Sequence, residues 1–246
     1  MSAHGWNHKW WGRIRRGWFA AATLALIVLV GLWLTFQHKP AWYQPVRLNE
    51  QNYQNARRSS LMTADSISDQ LVQGRESELV LSDRMVNEWL AALPLLWPEA
   101  KRKMPDEIRD PAVRFMRDRI RLAAHINKDG WQAIISVDLF VRVSGDGKSV
   151  TIALAGARGG SLPIPRTIIA KLLRPLIEQT RRGSNYQEND NASPWDAALK
   201  GVQSVNDLYA GVTTRNRFVW PNGKRPFRIA SIRTGNGELR IQLQPL

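Results

Sequence analysis

Residues able to do chemistry are few in this chain and widely spaced. With no cysteine, thiolate nucleophiles, disulfides, thiolate metal sites and lipid attachment through sulfur are excluded together. Beyond the first ten residues the only histidines are His38 and His125, and neither HExxH nor any paired-histidine or carboxylate-rich loop asks for a metal. His125 falls on the arginine-bearing parity of its strand and reads as a surface residue, not a base. Gly147-Lys148-Ser149 has the ending of a phosphate-binding loop. The glycine required five positions earlier is Arg142, however, and the triplet follows a turn where a helix should open, so the turn reading prevails. No GxSxG nucleophile elbow occurs. Glu88, Glu99, Asp138 and Glu178 are carboxylates of the kind a glycosidase uses in pairs, but only the fold could bring two together. Asn191-Ala192-Ser193 matches a glycosylation acceptor, with Pro194 following against its use. The expectation is a protein that is not an enzyme and holds no metal and no cofactor.

Positive charge is abundant, with 35 Lys and Arg against 21 Asp and Glu. Four of those bases, Lys9, Arg13, Arg15 and Arg16, precede a long apolar run, and no acid does. The remainder keeps 31 bases against 21 acids, a surface drawn to anionic lipid headgroups or acidic cell-wall polymers. Arg117, Arg119 and Arg121 share one strand parity and form the expected basic surface.

The element that must place these residues is Trp18 to Phe36, WFAAATLALIVLVGLWLTF, which carries no charged side chain. At about 1.5 Å per residue a helix of this length just crosses the hydrocarbon of a bilayer. Its basic amino-terminal flank predicts a cytoplasmic tail over 1–17 and export of everything that follows. Trp6, Trp10, Trp11, Trp18, Trp33 and Trp42 gather near the two ends, as interfacial anchors do. A cleaved signal peptide is the rival, but the core is long and no small-x-small site follows. The predicted organisation is a tail (1–17), a transmembrane helix (18–36), a connector and stalk helix (37–74) and an exported α+β domain (75–246). Export argues against nucleic acid as a partner, although the charge would attract it.

Within the domain, Glu78 to Leu81 reads as a strand, and Ser82 caps a helix that Pro94 should end. From about Val113 to Asn127, Met116, Ile120, Leu122, Ala124 and Ile126 share the parity opposite to the arginines, so the segment reads as one strand with a dry and a wet face. Trp131, Ala133, Ile135, Val137, Leu139, Val141 and Val143 continue the apolar parity, as do Val150, Ile152 and Leu154. Two-residue turns at Asp129-Gly130 and Asp146-Gly147 would set Leu122 against Val137, Arg121 against Asp138, and Val141 against Ile152. A slip of one residue would turn an apolar set to water, so agreement across two turns fixes the register. Thirteen residues at about 3.3 Å each make a strand of roughly 43 Å, long enough for a curved apolar trough. A helix from Arg166 to Arg182, kinked at Pro175, is fit to lie in it. The expected apolar groove is Trp131, Ile135, Val137, Leu139, Val141, Ile152, Leu154, Leu172 and Leu176. Another helix should start at Ser193-Pro194, and Asn236-Gly237 should close a terminal hairpin with Ile232 against Ile241 and Ala230 against Leu243.

The segments ELVLSDRMVNEWL, GGSLPIPRTIIAKLL and FRIASIRTGNGELRIQLQPL, in this order behind an anchor, resemble the YpmS-type family of amino-terminally anchored exported proteins without an established activity. The layout is also similar to tubular lipid-binding domains, in which a long curved sheet wraps a helix and leaves an apolar groove. The resemblance implies a single-pass envelope protein that binds a lipid or other apolar ligand. The alternative is an envelope assembly or scaffold protein acting through contacts with other envelope proteins.

Overall fold

A computed structural model of the chain describes residues 23–98, 104–128, 130–171, 174, 178, 202–219 and 226–246. Helix α1 (23–37) is followed by α2 (Glu50–Val72), β1 (Ser77–Ser82), α3 (Asp83–Leu96), β2 (Ile108–Met116), β3 (Arg119–Lys128), β4 (Trp131–Val143), β5 (Ser149–Gly159) and β6 (Leu162–Pro163). Then come α4 (166–171), α5 (Val205–Ala210), β7 (Val212–Arg215), β8 (Phe218–Val219), β9 (Pro226–Gly235) and β10 (Glu238–Pro245). The fold is α+β, with two antiparallel sheets. The smaller has the order β1-β10-β9-β8, and the larger runs β2-β3-β4-β5-β6 with β7 also paired to β5.

The expected register holds through the long strands. Ile120, Arg121, Leu122 and Ile126 face Leu139, Asp138, Val137 and Ala133, and Val141 and Val143 face Ile152 and Val150. A bulge at Asp138/Leu139 then shifts the pairing, and Ile135 meets Gly159. Asn236 and Gly237 both have positive φ, as a type I′ turn requires. Ile232 faces Ile241, but a bulge at Gln242/Leu243 puts Ile229, not Ala230, opposite Leu243.

The single strand expected over 113–127 is instead a hairpin. Asp118 takes φ 58, Arg117-Asp118 makes a two-residue turn, and Met116 pairs with Arg119. Such a turn pairs residues three apart, so Met116 lies on the arginine side and not with Ile120. Strand β2 adds an edge that no alternation announced, because the parity count ran through the turn unbroken. That edge is covered by α3. Asn87 accepts from the Val113 N–H (2.7 Å) and donates to its carbonyl (3.0 Å), while Asp83 accepts from the Phe115 N–H at 2.6 Å. Ser82 caps α3 as expected, but the helix passes Pro94 and runs to Leu96. One turn from a carboxyl end, a proline removes few bonds.

The helix expected as a stalk belongs to the domain core. Ile67 and Leu71 of α2 pack with Val150, Phe218, Phe227 and Leu243 between the two sheets. Val150 is fully buried, and Phe218 and Phe227 lie 5.8 Å apart. A second cluster joins Val113 and Phe115 to Leu239, Val86 and Leu90. The helices expected beyond residue 171 and at Ser193 fall largely or wholly outside the described residues.

Candidate functional site

The long sheet has two sides, and neither is the plainly wet or plainly dry face that alternation predicts. On the arginine side, Ala112, Ala123 and Ile134 are buried beneath Tyr43, with Trp42 against them. Ser136, Asp138 and Arg121 are buried there as well. This corrects the assignment of Arg121 to the basic surface. Its guanidinium donates to both Asp138 oxygens, at 2.5 and 2.8 Å, and lies 5.5 Å from the Trp42 ring centroid. The Asp138 hydrogen bond, opposed by burial and aided by charge attraction, raises the Arg121 pKa. Arg117 and Arg119 are exposed, as expected. Trp42 is thus engaged with Arg121 and Tyr43, and Trp33 is exposed on α1. The other four tryptophans named as anchors lie outside the described residues.

Tyr43 is 3% exposed and its hydroxyl donates to the Asp110 carbonyl at 2.6 Å. Burial, helped by the Asp110 charge and opposed by a bond from the His125 backbone N–H, pushes its pKa up to about 12. The KPAWY connector therefore folds back on the sheet as a clasp. Proline interruptions predicted a connector there but could not say what it covers.

On the apolar side, cover is uneven. Val141 and Val143 lie under the core at one end. Leu154, Ala157, Val137 and Leu139 lie under Ile169, Val205 and Leu208 along the β5 flank. At the other end Trp131 meets Phe36 of α1, with centroids 5.4 Å apart. Between these, Leu122, Ile126 and Ile135 join none of the packed clusters among the described residues, and Leu122 is 38% exposed. Of the expected groove residues, Leu154 is buried, while Trp131, Ile135, Val137, Leu139, Val141 and Ile152 are half-buried. Leu172 and Leu176 lie outside the described residues.

The end of α1 is seated on the sheet through two glycines. A Cβ on Gly159 would lie 2.1 Å from the Phe36 ring, and one on Gly160 would lie 2.4 to 2.8 Å from the carbonyl oxygens of Phe36, Thr35 and His38. Gly160 also has φ 56, a conformation that glycine adopts most readily. The Ser161 N–H donates to the Thr35 carbonyl at 3.3 Å. No helix among the described residues is long and apolar enough to cross a membrane. The expected span is described only from residue 23, and over residues 23–34 every side chain is exposed, with Leu24, Leu26, Ile27, Leu29, Leu32 and Leu34 spread around the helix.

The carboxylates considered for catalysis are dispersed. Asp138 is engaged by Arg121, Glu88 pairs with Arg84, Glu178 pairs with Arg174, and Glu99 lies outside the described residues. His125 is half-buried, with its backbone N–H bonded to the Tyr43 hydroxyl. The Gly147-Lys148-Ser149 triplet belongs to the β4–β5 turn, where Asp146 accepts from Ser144 Oγ and the Lys148 N–H. Asn216 holds that turn to β9, donating to the Gly147 and Ile229 carbonyls and accepting from the Ile229 N–H.

The class this geometry defines is a two-sheet α+β domain clasped by its own connector and seated on the end of an apolar helix. Comparison with family models, curated proteins and solved structures gives no match at the significance required.

Proposed function

We propose that the protein is a single-pass, non-catalytic membrane protein of the cell envelope. Its domain, exported beyond a cytoplasmic amino terminus, rests on the bilayer and holds an acyl chain along the apolar side of its long sheet. The observation that carries this reading is the half-open stretch at Leu122, Ile126 and Ile135, which begins next to the Phe36–Trp131 contact at the base of α1. Membrane placement is supported by the all-round exposed apolar surface of residues 23–34, which water would not tolerate as a lone helix. Once α1 spans, the glycine seat brings that end of the sheet to the lipid surface. The resemblance to YpmS-type proteins and to tubular lipid-binding domains points the same way.

A photo-reactive phenylalanine analogue at Leu122, with the same probe at Val219 as control, tests the ligand. Val219 lies on the other sheet and is 61% exposed. Irradiation in intact cells followed by mass spectrometry should give lipid adducts at 122 and few at 219. Adducts from 122 only to the chain's own residues 172–177 would mean that the trough is filled from within, and the lipid reading would fall. Location is tested separately with Lys148→Cys in this cysteine-free chain. An impermeant maleimide should label it on cells whose outer layer is opened and whose inner membrane is intact.

The scaffold reading keeps one observation in its favour, the exposed arginines at the β2–β3 turn. Dominant protein adducts at both probe positions would support it over the lipid reading.

A further inference from the structure

Where β4 outruns β3, its last residues meet β9, and the seam between the two sheets opens into a cleft of about 560 Å³. Arg117, Arg119 and Arg142 line it with Phe140, Val141 and Ile232; Asp118 and Thr234 complete the wall. Arg119 and Arg142 sit over the Phe140 ring, 5.3 and 5.5 Å from its centroid. None of the three guanidiniums has a carboxylate within ion-pair distance among the described residues. The one acid lining the cleft among the described residues is Asp118, whose backbone N–H is tied to the Thr234 carbonyl at 3.3 Å.

Three like charges gathered in a concavity repel one another, and the aromatic floor offsets only part of that cost. A bound anion would remove the repulsion and supply charged acceptors to these exposed guanidiniums, which no described residue does. Val141, Ile232 and Phe140 give the same cleft an apolar wall. We propose that this seam is a binding site for an organic phosphate: the phosphate is held by Arg117, Arg119 and Arg142, and its organic part lies against Phe140 and Ile232. The site is independent of the acyl-chain reading, since it lies at the opposite end of β4 from Trp131. Its ligand chemistry is shared by a phospholipid headgroup and a soluble phosphate ester, and the test separates the two sources.

Full-length protein in phosphatidylcholine nanodiscs would be titrated with glycerol 3-phosphate by calorimetry. Wild type should bind. Arg119→Gln and Arg142→Gln should each weaken binding by about tenfold or more, the loss of one charge-assisted hydrogen bond. Arg217→Gln, an exposed change outside the cleft, should leave affinity unchanged, and circular dichroism should show all variants folded. In nanodiscs containing phosphatidylglycerol, reduced apparent affinity identifies the headgroup as the source, whereas unchanged affinity identifies a soluble ester. Absence of binding in phosphatidylcholine nanodiscs, or binding that the Arg119 and Arg142 variants leave intact, overturns the proposal.

Discussion

Replacing Gly159 by alanine should unseat the domain from α1 without unfolding it. The added Cβ would lie 2.1 Å from Phe36 Cε2 and 2.7 Å from two further ring carbons, where 3.4 Å is the near edge of ordinary contact. The ring must therefore retreat by about 1.3 Å, away from its place beside Trp131. Gly159 is in a strand without positive φ, so alanine adds no backbone strain and the effect is purely one of space. Overpacking of this kind costs about 1–3 kcal/mol, a fall of roughly 5- to 150-fold in the ratio of seated to unseated molecules. Phe36→Ala alone forfeits the ring pair, about 0.5–1.5 kcal/mol. In the double variant the clash has gone with the ring, so its loss should be smaller than the sum of the two singles. Spin labels on cysteines introduced at Gln37 and Arg158, both exposed, report the seated population as a short, narrow distance distribution. A Gly159→Ala distribution like the parent's, or a double variant worse than the sum of the singles, would show that the seat is not what joins helix to sheet.

Two other outcomes can be measured on the same protein. Asp138→Asn strands a buried guanidinium and should lower stability to urea by about 3–5 kcal/mol, whereas Arg121→Met together with Asp138→Leu should restore most of it; equal damage from the two would mean that the pair is not the cause. Tyr43 ionises at the ordinary 10 when unfolded and at about 12 when folded, so the unfolded chain gives up its proton first. Stability should therefore fall as pH rises from 10 to 12 and level off above, less so in Tyr43→Phe, and parallel urea titrations of the two across that window would expose the idea as wrong if they coincide.

Much of the sheet was legible because its period is two and its turns are marked. Asn236-Gly237 demands positive φ, and Ile120, Leu122 and Ile126 find their partners once one turn is placed, since any slip would wet an apolar face. The β2–β3 hairpin was not legible, because Arg117-Asp118 carries no glycine and the alternation runs through it. Burial of the arginine side was hidden for another reason. Alternation tells which residues share a side, not which distant segment lies over it, and Tyr43 reaches Asp110 across 67 positions of sequence.

The candidate sites divide in the same way. The amino-acid sequence alone determined the charge, the absence of thiol chemistry, the apolar run that α1 continues, and the register that aligns the apolar side, because each is a property of residue type and local spacing. Only the tertiary structure decided that Arg121 is buried with Asp138 while Arg142 joins Arg117 and Arg119, that α2 is core, and that Gly159 and Gly160 seat the helix. Those outcomes depend on which surfaces meet when two sheets and a connector close on one another, and long-range packing leaves no period in a sequence.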